Sequence, residues 1–267
     1  MLREVAQESS AQVLESTRVT HFEREERNWR LSLVGASGSS TASAEWLIDC
    51  TGRRSWFARR EKIKRRDYDS LTAFVMVFAE NPQVAQKDED LLTLVESAED
   101  GWWYTARIPG RRRVVAYLTD IGTRSARQAR RGDGYRALLS ETLHIRCRLE
   151  GYSCSEGSPM INPSNSSRLE RITGAGWLAA GDAAASFDPL SSQGVLTAAY
   201  SGLRAGRALD SHLEGDFDAL RSYEFKIGSV YDGYLDNRIE CYRFEHRWPE
   251  SDFWRKRRGK EEVGSKK

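Results

Sequence analysis

The chain has 267 residues, of which 39% are hydrophobic and 30% are charged, a composition typical of a globular protein with a sizeable core and room for two domains. Its formal net charge of +2 gives no global field for nucleic acid or an anionic membrane, and it contains no apolar run of about 18 residues, the length a membrane span needs. The N-terminus lacks a signal-peptide hydrophobic region, and the four cysteines follow neither a zinc nor a disulfide pattern, so we expect reduced thiols, no metal site and a cytoplasmic location.

The first forty residues predict a helix and a hairpin. Residues 1 to about 12 have the apolar spacing of a helix. Val13–Glu23 and Trp29–Val34 predict two strands around a charged turn. The small polar residues of Gly35–Thr41 predict a loop.

A buried strand and a basic cluster follow. Ala44–Arg53 predicts a strand that enters a turn at Thr51. Arg59–Arg66 is rich in arginine and lysine, which suits either a phosphate or nucleic-acid contact or a solvated connector. Because no nucleic-acid-binding motif accompanies it, we favour the connector and place a domain crossover there.

The middle of the chain predicts an antiparallel meander and then helices. Strands are expected at the following segments: Leu71–Ala79, Leu91–Glu96, Trp102–Ile108 and Val114–Thr119. Asp120–Gly134 predicts a surface loop or frayed helix, Tyr135–Leu149 a helix, and Pro159–Leu169 an extended connector. Adjacent strand residues point to opposite faces, so at most one of Trp102 and Trp103 faces any given ligand.

The most informative stretch is Gly176–Val195. Ala175–Ala180 is a short apolar run that ends at Gly181 and Asp182, as a buried strand does, which places Asp182 where open α/β folds bind ligands. Asp188-Pro189 interrupts regular structure, and Ser191 or Ser192 is the expected N-cap of the next helix. That helix carries small residues at a four-residue stride, which lets a group approach its backbone: Gly194, Ala198, Gly202 and Gly206.

A long helix is predicted near the end of the chain, from Phe217 to about Glu245, before a basic tail. Four of its residues share one face: Tyr231, Tyr234, Arg238 and Tyr242. This face suits either aromatic packing or a cap over an active site, and we favour packing.

Two motifs resemble those of the FAD-dependent aromatic hydroxylases and their relatives, the flavin halogenases and geranylgeranyl reductases. Gly181–Ala184 followed by Asp188–Gly194 is similar to the second flavin motif of that family. Leu47–Arg53 is similar to its Asp-Ala-Thr-Gly-Arg segment, with Cys50 in place of the alanine. The resemblance implies an FAD cofactor, with Asp182 on the ribityl chain and Pro189 against the isoalloxazine. The other residues it implies for the cofactor are Thr51, Gly52, Arg53, Gly181, Gln193, Gly194 and Val195.

The resemblance also implies the fold: an α/β chain, α+β overall, with an FAD-binding Rossmann-like domain that lacks its first βαβ unit, an inserted antiparallel substrate sheet and a helical C-terminus. We place the FAD-binding parts at 1–66 and 158–210, the substrate-domain sheet and helix at 67–157, and the helical extension at 211–267. The sequence has no Gly-x-Gly-x-x-Gly turn for the FAD pyrophosphate. We therefore expect a truncated chain that binds FAD poorly and folds poorly alone.

The function expected from the family is an FAD monooxygenase that hydroxylates a small aromatic or indole-like molecule, with electrons from NAD(P)H or a separate flavin reductase. Family substrates lie against the inserted sheet, so Trp102, Trp103 and Tyr104 are candidate contacts, with sheet core as an equal alternative. Tyr104 stands where the halogenase Gly-Trp-x-Trp-x-Ile-Pro signature has its second tryptophan, and two extra residues precede Ile108-Pro109, which argues against a halogenase. A halogenase-like or geranylgeranyl-reductase-like enzyme and a non-catalytic remnant stay open, and no catalytic acid or base can be named.

Overall fold

The computed structural model describes residues 2–36, 38–83, 89–154 and 157–259. Within these ranges the protein combines eight α-helices with strands in four sheets. This mixture confirms the predicted α+β class. None of the described helices is long and apolar enough to cross a bilayer. The four cysteines are free thiols, and residues 260–267 of the basic tail lie outside the described residues.

The chain begins with a helix and a three-stranded antiparallel sheet. Helix α1 (Leu2–Glu8) precedes β1 (Arg18–Glu25), β2 (Asn28–Gly35) and β3 (Gly38–Ala44). The hairpin is confirmed, although its first strand starts five residues later than predicted. The loop predicted at Gly35–Thr41 is wrong, because Gly38 onward pairs with β2. The side chains of β3 are small and largely exposed, so only the backbone ladder, and no apolar alternation, marks this strand.

A short parallel pair of strands carries the two flavin-like motifs. Strand β4 (Leu47–Asp49) leads through a turn into α2 (Trp56–Arg60), and it pairs in parallel with β14 (Trp177–Ala179). Strand β13 (Thr173–Gly174) flanks β14 on the other side. The Trp29 indole N–H donates to the Gly176 carbonyl at 2.7 Å and joins the first sheet to this one.

The middle of the chain forms a six-stranded antiparallel sheet. Its strands are β6 (Leu71–Glu80), β7 (Leu94–Ala98), β8 (Gly101–Ile108), β9 (Arg112–Asp120), β10 (Tyr152–Ser153) and β11 (Met160–Pro163). They lie in the order β10-β6-β9-β8-β7, with β11 also paired with β6. Helices α3 (Arg124–Ala129), α4 (Gly132–Ser140) and α5 (His144–Arg148) pack on one face around Trp103 and Tyr117. The predicted meander is confirmed, and Trp102 and Trp103 lie in different cores on opposite faces.

The single helix predicted for Tyr135–Leu149 is wrong, because the chain breaks between α4 and α5. The Glu96 carboxylate of β7 accepts the backbone N–H groups of Leu143, His144 and Ile145, at 2.6 to 2.9 Å. A carboxylate there satisfies the amides that begin a new helix. This contact spans 47 or more positions in sequence, so local spacing does not show it.

A small sheet of β5 (Arg65–Asp67), β12 (Ser167–Leu169) and β15 (Ala185–Ser186) precedes the last three helices in the chain. These helices are α6 (Gly194–Leu213), α7 (Ala219–Arg243) and α8 (Asp252–Arg257). The predicted serine N-cap of α6 is wrong. Gln193 is the residue before the helix, Ser191 ends a short 3-10 turn, and Ser192 adopts a left-handed φ of 53°.

Candidate functional site

The two flavin-like motifs meet at one edge of the parallel pair. Because β4 and β14 run in the same direction, the turns that follow them emerge side by side. The Ala180 N–H donates to the Asp49 carbonyl at 3.0 Å. Beyond the strands, Arg53 Nε lies 3.4 Å from Asp182 Oδ2. Residues that are about 130 positions apart in sequence therefore form a single site.

Asp182 lies at the mouth of this site. Its side chain is 35% exposed, so the carboxylate keeps acceptor positions for a hydroxyl of a ligand. Gly181 holds the turn at φ +60°, and a Cβ there would lie 3.5 Å from the Cβ of Ala198. The Gly181 N–H donates to Ser201 Oγ at 2.8 Å. The turn is thus anchored on helix α6 while its carboxylate stays accessible.

Arg53 connects this turn to residues 187–190, which we call the Asp188 segment. Its guanidinium donates to the carbonyls of Asn165 at 2.6 Å and Phe187 at 2.7 Å, in addition to its ion pair with Asp182. An arginine presents five donors in a rigid plane and can hold several acceptors at once. Arg53 therefore fixes the distance between the two parts of the second motif.

Thr51 and Gly52 shape the turn after β4. The Thr51 hydroxyl donates to Asp49 Oδ1 at 2.6 Å and accepts the Trp56 N–H at 2.8 Å. Asp49, which is buried and was not predicted as a site residue, accepts amides at the start of α2. The Thr51 side chain is thus occupied within the turn. Gly52 has φ +71° and open space where a Cβ would be, so its backbone is approachable.

Arg65 is the main residue that sequence reasoning missed, because it belongs to the cluster interpreted as a solvated connector. Its guanidinium reaches under the turn and donates to the carbonyls of Asp182 and Ala183, each at 3.0 Å. It also donates to three serine hydroxyl groups: Ser55 at 2.6 Å, Ser167 at 2.8 Å and Ser186 at 2.8 Å. Burial lowers the pKa of Arg65, and the nearby Arg53 charge adds to the effect. The connector interpretation is wrong at this residue.

The Asp188 segment leads into the open N-terminus of α6. Asp188 is 1% exposed, and its Oδ1 accepts the Leu190 N–H at 2.9 Å across Pro189. Burial raises the pKa of the Asp188 carboxyl, an effect that its hydrogen-bond donors and Arg238 oppose. Gln193 precedes the helix, Gly194 faces open space, and Val195 is 88% exposed. The first amides of a helix lack intrahelical acceptors, so polar N–H groups lie here beside an accessible apolar side chain.

The structure separates the three candidate substrate residues. Trp102 is 2% exposed and lies on the sheet face against whose core Leu190 also packs. Trp103 stacks on Tyr117 with ring centroids 4.6 Å apart, on the opposite face. Tyr104 is half-buried on the Leu190 side, where burial raises the pKa of its hydroxyl. Of the three, Tyr104 is the partly accessible one, and it packs against the same core as Leu190.

These features fit an FAD. The accessible Asp182 carboxylate suits a ribityl hydroxyl, and the glycine turn at Gly52 admits a close backbone approach. The N-terminal amides of α6 suit the electron-rich edge of a flavin ring, and Val195 offers apolar contact.

The comparisons with known proteins agree with this fit. A family model described as "FAD binding domain" matches residues 1–233. The putative FAD-dependent oxidoreductase LodB of Marinomonas mediterranea is 28% identical over 237 residues, which cover 88% of this chain and 62% of LodB.

Two solved structures show the same fold. The flavin-dependent halogenase CmlS superposes with a TM-score of 0.81 at 24% identity, covering 98% of this chain and 48% of CmlS. The peptidyl tryptophan dihydroxylase QhpG superposes with a TM-score of 0.70 at 19% identity, covering 98% of this chain and 58% of QhpG. The chain thus spans less than two thirds of the length of these relatives.

Proposed function

The chain belongs to the FAD-binding domain family of flavin-dependent oxidoreductases, and from this premise we propose that it is part of a monooxygenase that hydroxylates an aromatic, indole-like ring. The cofactor is FAD, which when bound supplies electron transfer and oxygen activation. The protein residues bind it, orient it against the substrate and exclude water.

The proposed roles in cofactor binding come from the resemblance to the flavin motifs, and the positions of the residues support them. Asp182 accepts a ribityl hydroxyl, and Arg53 holds its carboxylate in place. With FAD bound, the backbone N–H groups of Gly194 and Val195 would be available as donors to the flavin ring, and their dipoles would favour negative charge there. Pro189 would lie against the ring, as the resemblance to the family implies.

The observation that carries the substrate proposal is the half-open apolar face around Tyr104. In the sheet register, Tyr104 lies opposite Ala116, which lies opposite Val75. The next row on the same face contains Ala106, Val114 and Val77. Such a floor suits a flat aromatic ring, with the Tyr104 hydroxyl as a polar contact. QhpG, a peptidyl tryptophan dihydroxylase, supports an indole-type substrate for this fold.

Halogenation is a second candidate, favoured by the similarity to CmlS. Both reactions modify an electron-rich ring and need reduced flavin and oxygen, supplied with NAD(P)H or by a separate reductase. They differ in the atom that is added to the ring. Product mass in the presence of chloride or bromide therefore separates them.

We predict that Tyr104→Phe lowers kcat/KM for an indole substrate about twofold to tenfold, because one hydrogen bond between neutral groups is lost. The measurement is substrate-dependent oxygen consumption with excess FAD and a chemical or enzymatic reductant. Tyr200→Phe, on a half-buried tyrosine of α6, is the matched control and should leave kcat/KM unchanged.

A product that gains one oxygen atom supports hydroxylation, and one that gains a halogen supports the second candidate. Oxygen consumption that does not respond to any aromatic compound argues against both.

A further inference from the structure

Helix α7 places a row of polar side chains on the segment that carries Pro189. The Tyr231 hydroxyl donates to the Ser186 carbonyl at 3.3 Å, and the Asp188 N–H donates to the Tyr234 hydroxyl at 2.7 Å. About two turns beyond Tyr234, Tyr242 donates its hydroxyl hydrogen to Asp188 Oδ2 at 2.8 Å. The face interpreted from sequence as aromatic packing therefore also forms directed hydrogen bonds to this segment.

Asp188 is charge-paired as well as hydrogen-bonded. Arg238 Nε donates to Asp188 Oδ2 at 3.3 Å. Arg238 Nη2 lies 2.9 Å from Asp69 Oδ2, in ion-pair contact without hydrogen-bond alignment. All three side chains are almost completely buried. A buried carboxylate is stable only when donors and an opposite charge surround it, so the position of Asp188 depends on α7.

Tyr242 also connects the Asp188 segment to the six-stranded antiparallel sheet. The Trp102 indole N–H donates to the Tyr242 hydroxyl oxygen at 3.0 Å. Tyr242 thus accepts from the sheet and donates to Asp188, and hydrogen bonds linked in this way strengthen one another. Trp102 and Tyr242 are buried in a core with Phe253 and Trp254, so water does not compete for the chain of bonds.

We propose that Trp102, Tyr242, Arg238 and Asp188, which we call the Asp188 relay, hold the Asp188 segment with its Pro189 in position and couple it to the six-stranded antiparallel sheet. The flavin-facing role of the segment rests on the proposed function. The relay residues are positioning residues, since they lie behind the segment and act through Asp188. Trp102 contributes the hydrogen bond that its indole N–H donates to Tyr242. A shift of β8 is therefore transmitted to the residues that precede the N-terminus of α6.

Tyr242→Phe tests the relay directly, because it removes the hydroxyl and keeps the ring. The matched control is Tyr223→Phe on the same helix, whose buried hydroxyl donates to Ala179 at 2.7 Å, away from Asp188. Hydrogen exchange at the Leu190 amide should accelerate at least tenfold in Tyr242→Phe and stay unchanged in Tyr223→Phe. The NMR signal of the Trp102 indole N–H should shift in Tyr242→Phe alone.

Trp102→Phe breaks the relay at its sheet end and gives a second, independent test. It should accelerate exchange at Leu190 in the same direction. Unchanged exchange at Leu190 in both Tyr242→Phe and Trp102→Phe, or equal acceleration in Tyr223→Phe, overturns the relay.

Adding excess FAD separates the relay from the proposed function. Slower exchange across residues 187–195 on adding FAD supports both. Accelerated exchange at Leu190 in the two variants, with no effect of FAD on the parent chain, supports the relay and contradicts the flavin-facing role of the segment.

Discussion

Replacing Arg65 with methionine is expected to lower the free energy of unfolding by about 3–5 kcal/mol, with a fall in Tm of about 10 °C. The guanidinium donates to backbone carbonyls and to serine hydroxyls on three separate segments. Methionine fills much of the volume but leaves these buried acceptors without a donor, and each unmet acceptor costs about 1–3 kcal/mol. The measurement is the free energy of unfolding from a denaturant titration that is monitored by circular dichroism.

The neighbouring Arg66 provides the matched control. Its side chain is exposed and lies over the Tyr68 ring at 4.9 Å, so Arg66→Met should change the free energy of unfolding by less than about 1 kcal/mol. Arg65→Lys should recover part of the loss, because an ammonium reaches fewer acceptors than the planar guanidinium. Equal effects of Arg65→Met and Arg66→Met would contradict the role assigned to Arg65.

Asp120→Asn is expected to destabilise the protein by about 3–5 kcal/mol, because it leaves the buried Arg257 charge without its partner. Arg257 is 3% exposed and donates to both carboxylate oxygens of Asp120, at 2.6 and 3.0 Å. This pair fastens α8 to the end of β9. Burial alone would raise the pKa of Asp120, but the hydrogen bonds and charge of Arg257 outweigh it and lower the pKa.

The lowered pKa fixes the sign of the pH dependence. The stability that Asp120 contributes is present above its unfolded pKa of about 4 and is lost as the pH falls through the folded value. The loss on acidification should therefore be smaller in Asp120→Asn than in the parent chain. Asp252→Asn, in the exposed pair with Arg255 on the same helix, is the control and should cost at most about 1 kcal/mol. An identical acid dependence in the parent chain and Asp120→Asn would count against the pair.

The sequence was sufficient to predict the strands and turns that form the candidate cofactor site. Asp182 and Thr51–Arg53 each follow a short apolar run, and the rule that ligands bind beyond the carboxyl ends of parallel strands predicts their convergence. The meander around Tyr104 follows from period-2 alternation and turn residues. These features are local in sequence, so a pattern can reveal them.

The features that the sequence did not predict depend on contacts between distant residues. Arg65 is one of several basic residues in its cluster, and only the fold shows which of them turns inward beneath Asp182. Strand β3 has no apolar alternation, and the break before α5 is set by Glu96 from another strand. The sequence places Tyr242 on an aromatic face, but its hydrogen bond to Asp188 joins residues 54 positions apart.

The central claim is that FAD binds at the edge where Asp182 and the turn after β4 meet. The most direct measurement is a titration of the purified chain with FAD, monitored by the visible absorption spectrum and by flavin fluorescence. We expect weak, saturable binding, with a Kd between about 1 μM and 1 mM, because no glycine-rich pyrophosphate turn is present in this sequence.

Asp182→Ala should weaken this binding at least tenfold, because a charge-assisted hydrogen bond to the ribityl chain is lost. Asp236→Ala, at an exposed carboxylate of α7, should bind FAD as the parent chain does. An equal Kd for Asp182→Ala and the parent chain, or the absence of any spectral change at high FAD concentration, would contradict the account.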